Sequence, residues 1–220
     1  NDPIGDRSGE ALYVRDDDSG LLFGPTALPV RKASGDYLAR HGRGYSRFEH
    51  TRADIALDLL QFVPGDEPVK VSRLRIRNLS GRTRHLTLTA YVEWVLGTSR
   101  SSTAPFVATE IDPVTGGMLA RNLWGGTETR VAFTDLGGLQ TAWTGNRMEF
   151  IGRNGTLERP AALATGAKLS GRTGAGLDPC GALQTSVVLA AHYYVELVWL
   201  LGEAGTTQAA QAMIARWRGE

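Results

Sequence analysis

Cysteine is nearly missing from this chain of 220 residues: Cys180 is the only one. A lone cysteine excludes an intramolecular disulfide and a thiolate zinc cluster. Its setting, Leu177-Asp178-Pro179-Cys180, matches no nucleophile signature, so it reads as a packed thiol. A charge excess is missing too. The formal net charge is +1, with Lys and Arg spread along the chain. That leaves no electrostatic footprint for nucleic acid and no polybasic patch for a membrane surface. The longest apolar run, from Tyr193 to Leu201, is broken by Glu196. It falls short of the roughly 18 to 20 residues of a membrane span, so direct membrane insertion is not expected. No Walker-type loop is present. The Gly-rich stretch at 174–180 lacks the third glycine of a dinucleotide loop and leads into a strand, not a helix. No cofactor is therefore expected.

What is present is a period of two. Hydrophobic residues make up 42% and charged residues 21%, an ordinary globular balance. Residues 55–63, 69–77 and 84–94 alternate as strands, the last with Leu86, Leu88, Ala90, Val92 and Trp94 on one side. The 69–77 run sets Val69, Val71, Arg73, Arg75 and Arg77 against Lys70, Ser72, Leu74 and Ile76. The short polar turn at 78–81 predicts an antiparallel hairpin between the second and third of these runs. Further strand signals lie at 106–111, 117–121, 129–133, 139–143, 147–151, 182–189 and 193–201, separated by turn clusters. Many strands, regular turns and 27 glycines describe an all-β sandwich of two antiparallel sheets. A doubly wound α/β fold would need helical patterns between the strands, and these are absent.

One helix is expected at the end, capped by Thr206 or Thr207, with Ala209, Ala210, Ala212, Met213, Ile214 and Trp217 following. Its apolar stripe needs a partner, either the sandwich itself or whatever follows. The division expected is a polar tail at 1–10, a sandwich at 11–203 and a linker helix at 204–220.

Two segments mix aromatics with charge. In the first, as a strand, Tyr45, Arg47 and Glu49 share one side, and Ser46, Phe48 and His50 the other. The second combines Trp143, Asn146 and Arg147 with Glu149 at a turn between strands. An aromatic face stacks on the C–H face of a sugar ring, and Arg, Asn and Glu grip the hydroxyl rim. Tyr45, Arg47, Glu49, Trp143, Asn146 and Arg147 are therefore the carbohydrate-contact candidates. The plainer alternative is a sheet-face ion pair of Arg47 with Glu49 over a packed Phe48. Arg15-Asp16-Asp17-Asp18-Ser19-Gly20 reads as a solvated turn: its acids are contiguous and the twelfth-position Glu of a calcium loop is missing. His41 and His50 have no third ligand nearby, so no metal is expected. Carboxylates such as Glu49, Glu93, Glu149 and Asp178 default to structural ion pairs, since a glycosidase pair cannot be read from sequence. Asn78-Leu79-Ser80 and Asn154-Gly155-Thr156 match the glycosylation pattern, as any long chain does by chance.

Several long motifs carry a family likeness. These are Arg15-Asp16-Asp17 with Pro25 and Pro29, the run 41–48 (His-Gly-Arg-Gly-Tyr-Ser-Arg-Phe), the run 91–97 (Tyr-Val-Glu-Trp-Val-Leu-Gly), Phe150-Ile151-Gly152-Arg153-Asn154-Gly155 and the 174–180 loop. Together they resemble the amino-terminal sandwich of glycoside hydrolase family 94, formerly glycosyltransferase family 36. The likeness is to the phosphorylase-like region of cyclic β-1,2-glucan synthases and to β-1,2-oligoglucan phosphorylases, from about Ala11 to the final helix. It implies a galactose-mutarotase-like β-supersandwich, a linker helix and then an (α/α)6 barrel. In that family the general-acid Asp and the phosphate pocket lie on the barrel, so no residue here inherits the acid role and the chain is not expected to be an enzyme by itself. The partners implied are that downstream barrel, a second copy in a homodimer and, weakly, β-glucan. The implied setting is a cytoplasmic domain, with a parent that can be anchored in a bacterial inner membrane. The alternatives are a free-standing sugar mutarotase or lyase, which needs a His with Glu or Asp on one concave sheet, and a purely structural interaction module.

Overall fold

The computed structural model describes residues 8–31, 35–124 and 130–219. Thirteen strands form along them: β1 (Glu10–Asp16), β2 (Leu22–Phe23), β3 (Tyr37–Gly42), β4 (Tyr45–Arg52), β5 (Ile55–Phe62), β6 (Val69–Asn78), β7 (Arg84–Glu93), β8 (Val107–Ile111), β9 (Met118–Asn122), β10 (Val131–Asp135), β11 (Ala142–Asn146), β12 (Pro179–Leu189) and β13 (Tyr194–Ala204). Three α-helices, α1 (Arg100–Thr103), α2 (Arg147–Ile151) and α3 (Thr207–Arg218), and two short 3-10 turns, Ala104–Phe106 and Ala161–Leu163, accompany them. One sheet has the order β11-β12-β7-β1-β2, the other β3-β4-β5-β6-β13-β10-β9-β8, with antiparallel pairing throughout. The expected all-β sandwich with one substantial C-terminal helix is the architecture found.

The main core lies between the sheets. Leu86, Leu88, Ala90, Val92 and Trp94 face it from β7 and the residue just beyond, opposite Leu57, Leu59, Leu74 and Ile76. Each Leu or Ile so hidden contributes about 1.5–3 kcal/mol. The five-stranded sheet is buried on its outer face as well. Ala11, Tyr13, Tyr91, Cys180 and Ala182 pack there under Phe150, Ile151, Ala162, Leu163 and Leu169. A third cluster joins Val69, Val71, Leu119, Phe133 and Leu200 to Ala210, Met213 and Ile214 of α3. The helix stripe is thus satisfied by the sandwich itself. Thr206 is the cap, accepting from the Ala209 amide, and Gly219 closes the helix in the left-handed conformation. Polar contacts fix its ends: Arg218 with the fully buried Asp135, Gln211 with Asp112 at 2.8 Å, and Trp217 Nε1 donating to Glu67 at 2.6 Å.

Four expectations are corrected. β6 and β7 do not form a hairpin. They lie in different sheets, and the 79–83 segment carries the chain across the sandwich. Asn78 explains the corner. Its fully buried side chain donates to the carbonyls of Arg82, Leu189 and Ala190, tying this crossing to the neighbouring one between β12 and β13. So occupied, Asn78 is closed to glycosylation in the folded chain. Residues 147–151 form α2, not a strand, because the Asn146 side chain accepts from the Met148 amide and Gly152 ends the turn at φ +91°. The strand expected at 139–143 sits later, at Ala142–Asn146. The Asp16 turn is not simply solvated. Asp16 is 1% exposed and paired with Arg84 at 2.8 Å, while Ser19 Oγ donates to it at 2.5 Å. Burial alone would raise the Asp16 pKa, but the Ser19 and Arg84 hydrogen bonds and the Arg84 charge outweigh it, and the net shift is downward. Within the expected tail, Glu10 already belongs to β1, and residues 1–7 lie outside the described residues.

Candidate functional site

The outer face of the eight-stranded sheet is divided. At one end α3 covers it; at the other the outward residues of β3, β4, β5, β6 and β13 meet solvent. Register places them in rows. Arg40, Arg47, Leu60, Arg73 and Val198 stand side by side, and the next row is Leu38, Glu49, Asp58, Arg75 and Glu196. A basic row thus lies against a mostly acidic one. Arg47 grips Asp58 with two parallel bonds, Nε to Oδ1 at 2.8 Å and a terminal nitrogen to Oδ2 at 2.6 Å, and reaches Glu49 at 3.7 Å. The Asp58 hydrogen bonds push the Arg47 guanidinium still further above its normally high range. Arg40 pairs with Glu49, and Glu196 bridges Arg73 at 3.5 Å and Arg75 at 3.2 Å. The Arg75 guanidinium lies 5.0 Å from the centre of the Tyr194 ring, a cation–π contact.

Arg40, Arg47, Asp58, Arg73, Arg75 and Glu196 line an open hollow of about 460 Å³, together with Tyr45 and Leu60. That volume falls within the usual range of small-ligand pockets. Tyr45 is 47% exposed. Its ring lies across Gly42 on the neighbouring strand, where an added Cβ would collide with it. The glycine at 42 therefore lets a tyrosine lie over the sheet edge. Phe48 and His50 point to the other side, Phe48 packing on the core and His50 2% exposed.

The second candidate segment lies elsewhere. Trp143 is on β11 of the five-stranded sheet, packed against the inter-sheet core, and its indole donates to the Gly171 carbonyl at 3.0 Å. Asn146 caps α2. Arg147 donates to Glu93 at 3.0 Å and approaches Asp178 at 3.5 Å, while Arg100 pairs with the same two carboxylates. Glu149 accepts from Thr144 Oγ1 at 2.7 Å and from the Ser170 amide at 2.8 Å. Arg147 instead borders a second hollow, with Leu28, Pro29 and Leu157. The six candidates therefore do not converge: Tyr45, Arg47 and Glu49 share one open face, and the other three hold a corner of the opposite sheet.

Sequence reading missed Arg40, Asp58, Tyr194 and Glu196 as members of the open face. For Asp58, Tyr194 and Glu196 the signal was available, since they are outward positions of strands whose inward positions are apolar; the strand of Arg40 has no such alternation. Arg73 and Arg75 were placed on one side of their strand, but nothing in one strand shows which neighbours complete the row. Cys180 is fully buried, and burial pushes its thiol pKa far up, which removes the nucleophilic thiolate. Among the described residues no group of three or more His, Cys, Asp or Glu could hold a metal ion, and no histidine lines the open hollow. No helix among them is long and apolar enough to cross a membrane.

A family model described as glycosyl hydrolase 94, supersandwich domain, matches residues 1–220. The cyclic beta-(1,2)-glucan synthase NdvB of Rhizobium meliloti (strain 1021) is 37% identical over 221 residues, covering 100% of this chain and 8% of that protein. The N,N'-diacetylchitobiose phosphorylase of Vibrio furnissii is 29% identical over 204 residues, 90% of this chain and 25% of the relative. The chain thus spans only a small part of either protein. Among solved structures, a bacterial glucoamylase complexed with acarbose superposes with a TM-score of 0.57 at 8% identity, over 96% of this chain and 29% of that one. At that identity the likeness speaks for the fold alone. Matched over its whole length and folded as two stacked antiparallel sheets, this chain belongs to the supersandwich domain family of glycosyl hydrolase 94.

Proposed function

We propose that the chain serves as a non-catalytic accessory domain of a family 94 phosphorylase or glucan synthase, supporting an (α/α)6 catalytic barrel and contacting β-glucan. The observation that carries the sugar contact is the hollow on the eight-stranded sheet, where an exposed tyrosine stands beside a ladder of Arg and carboxylate side chains. A pyranose ring offers an apolar face to Tyr45, while Arg47, Glu49, Asp58 and Arg75 offer donors and acceptors to its hydroxyls. An accessory surface holds only part of a glucan, so affinity is expected on the order of millimolar, about 4 kcal/mol. The names of the relatives support the substrate class. Homodimer contacts, and a cytoplasmic position within a membrane-anchored parent, belong to the same proposal.

The test has two arms. Incubated with phosphate and β-1,2-gluco-oligosaccharides, the purified chain is expected to form no glucose 1-phosphate; steady formation would overturn the non-catalytic role. In NMR titration with the same sugars, shifts are expected at Tyr45, Leu60 and Arg73 and are expected to vanish in Tyr45→Ala. No shift at millimolar sugar would leave a purely structural module.

A further inference from the structure

We infer that a further hollow, walled by the indole of Trp124, is a separate binding site for a neutral pyranose oligosaccharide. It takes its ligand class from the carbohydrate reading above and rests on that reading to this extent, but its residues and its position are different. The hollow, about 490 Å³, is set against the inner face of the eight-stranded sheet. Ala120 and Ala132, small side chains belonging to or packed against the inter-sheet core, line it. Leu96 and Gly97, just beyond β7, form another side. Arg130 and Glu203, paired at 3.3 Å and both largely exposed, add polar groups.

Trp124 is 67% exposed, whereas Trp94 and Trp199 are each 3% exposed. With the neighbouring Leu123, 51% exposed, Trp124 presents an apolar surface to solvent. The ring is nevertheless held in place. It stacks on Phe106 with ring centres 4.8 Å apart and lines the hollow. The Leu123 amide donates to the Phe106 carbonyl at 2.9 Å. Asn122 joins both walls, donating to the Leu96 carbonyl at 3.0 Å and accepting from the Trp124 amide at 2.9 Å. An indole fixed in advance binds a flat, weakly apolar surface without first losing its own rotational freedom. A pyranose C–H face fits that wall, and Arg130 with Glu203 supplies a donor and an acceptor for its hydroxyls. The concave, small-ligand size of the hollow favours a sugar over a protein surface, which would need a broader apolar patch.

The experiment is iodide quenching of tryptophan fluorescence on the full 220-residue chain, with β-1,2-gluco-oligosaccharide and N,N'-diacetylchitobiose as the probes. The accessible emission comes chiefly from Trp124, identified by difference against Trp124→Phe. Millimolar sugar is expected to lower the quenching constant. Trp124→Ala is expected to abolish sugar-induced NMR shifts at Ala132, Trp124→Phe to keep them in weakened form, and Tyr45→Ala to leave both those shifts and the protection of Trp124 intact. Shifts at Ala132 that survive in Trp124→Ala, or protection lost in Tyr45→Ala, would overturn the inference. So would quenching that neither sugar changes while Tyr45 still shifts, an outcome that spares the proposed function. If instead Trp124 is protected and the Tyr45 face stays silent, the second site stands and the first falls. Trp124 indifferent to sugar but shielded by a covalently linked downstream domain would make this a protein interface and also overturn the inference.

Discussion

Two stretches written in almost the same alphabet, 45–49 and 143–149, live in opposite physical settings. On β4, Arg47 is 45% exposed and its partners Glu49 and Asp58 are about a third exposed. Water screens these pairs, so they add little to stability and their polar atoms remain open to a ligand. At the α2 corner, Arg147 and Glu93 are 25% and 17% exposed, locked to Arg100 and Asp178 above the buried Tyr91 and Cys180. Composition does not separate the two. The covering layer does: α2 and the 152–169 segment lie over the five-stranded sheet, whereas α3 covers only one end of the eight-stranded one. The same residue types serve as fasteners where they are covered and as a contact surface where they are not.

If depth makes the difference, ion pairs should lose stability in proportion to how far they are buried. Arg84, 3% exposed, marks the deep limit; Arg84→Ala strands the Asp16 carboxylate and is expected to cost about 3–5 kcal/mol in chemical denaturation. The same pair carries an acid signature. Because the folded Asp16 pKa is lowered, its stabilisation is complete above the unfolded carboxylate range near ~3.9 and fades as pH falls through the lower, folded value. Asp16→Asn should therefore flatten the acid limb of the stability curve, and an unchanged limb would show that this pair is not its source. Glu93→Ala, at intermediate depth, is expected to cost about 1.5–3 kcal/mol, the range of hydrogen bonds to charged groups. Arg47→Ala should leave the thermal midpoint where it was while abolishing sugar-induced shifts at Tyr45. A large fall in the midpoint for Arg47→Ala, or none for Glu93→Ala, would break the comparison.

Strands with one wet face were legible in the sequence, because inward and outward residues differ in kind. β6 shows it: Leu74 and Ile76 are buried, and Arg73, Arg75 and Arg77 are exposed. β1 carried no such signal. Ala11, Leu12, Tyr13 and Val14 are all buried, Leu12 and Val14 between the sheets and Ala11 and Tyr13 beneath the α2 layer, so alternation disappears. The hairpin expected from β6 to β7 failed for a different reason. A short polar turn reads alike whether it folds a sheet back or crosses a sandwich, and the deciding hydrogen bonds from Asn78 reach residues more than a hundred positions away. Tyr45, Arg47 and Glu49 were legible as a unit because one strand carries them. Asp58 and Glu196 joined them only through pairing, which a single strand does not encode.

Cys180 has a kinetic consequence. Its sulfur is fully buried beneath the α2 layer, and its protonated thiol is inert toward electrophiles. A thiol reagent can capture it only during excursions in which that layer lifts or the chain unfolds. As the chain's sole cysteine, it allows the modification rate to be read without correction for any other site. Modification that depends on denaturant as steeply as global unfolding would mean that the layer and the sheet open as one cooperative unit. A shallow dependence would resolve the 147–170 segment as a flap with an opening equilibrium of its own.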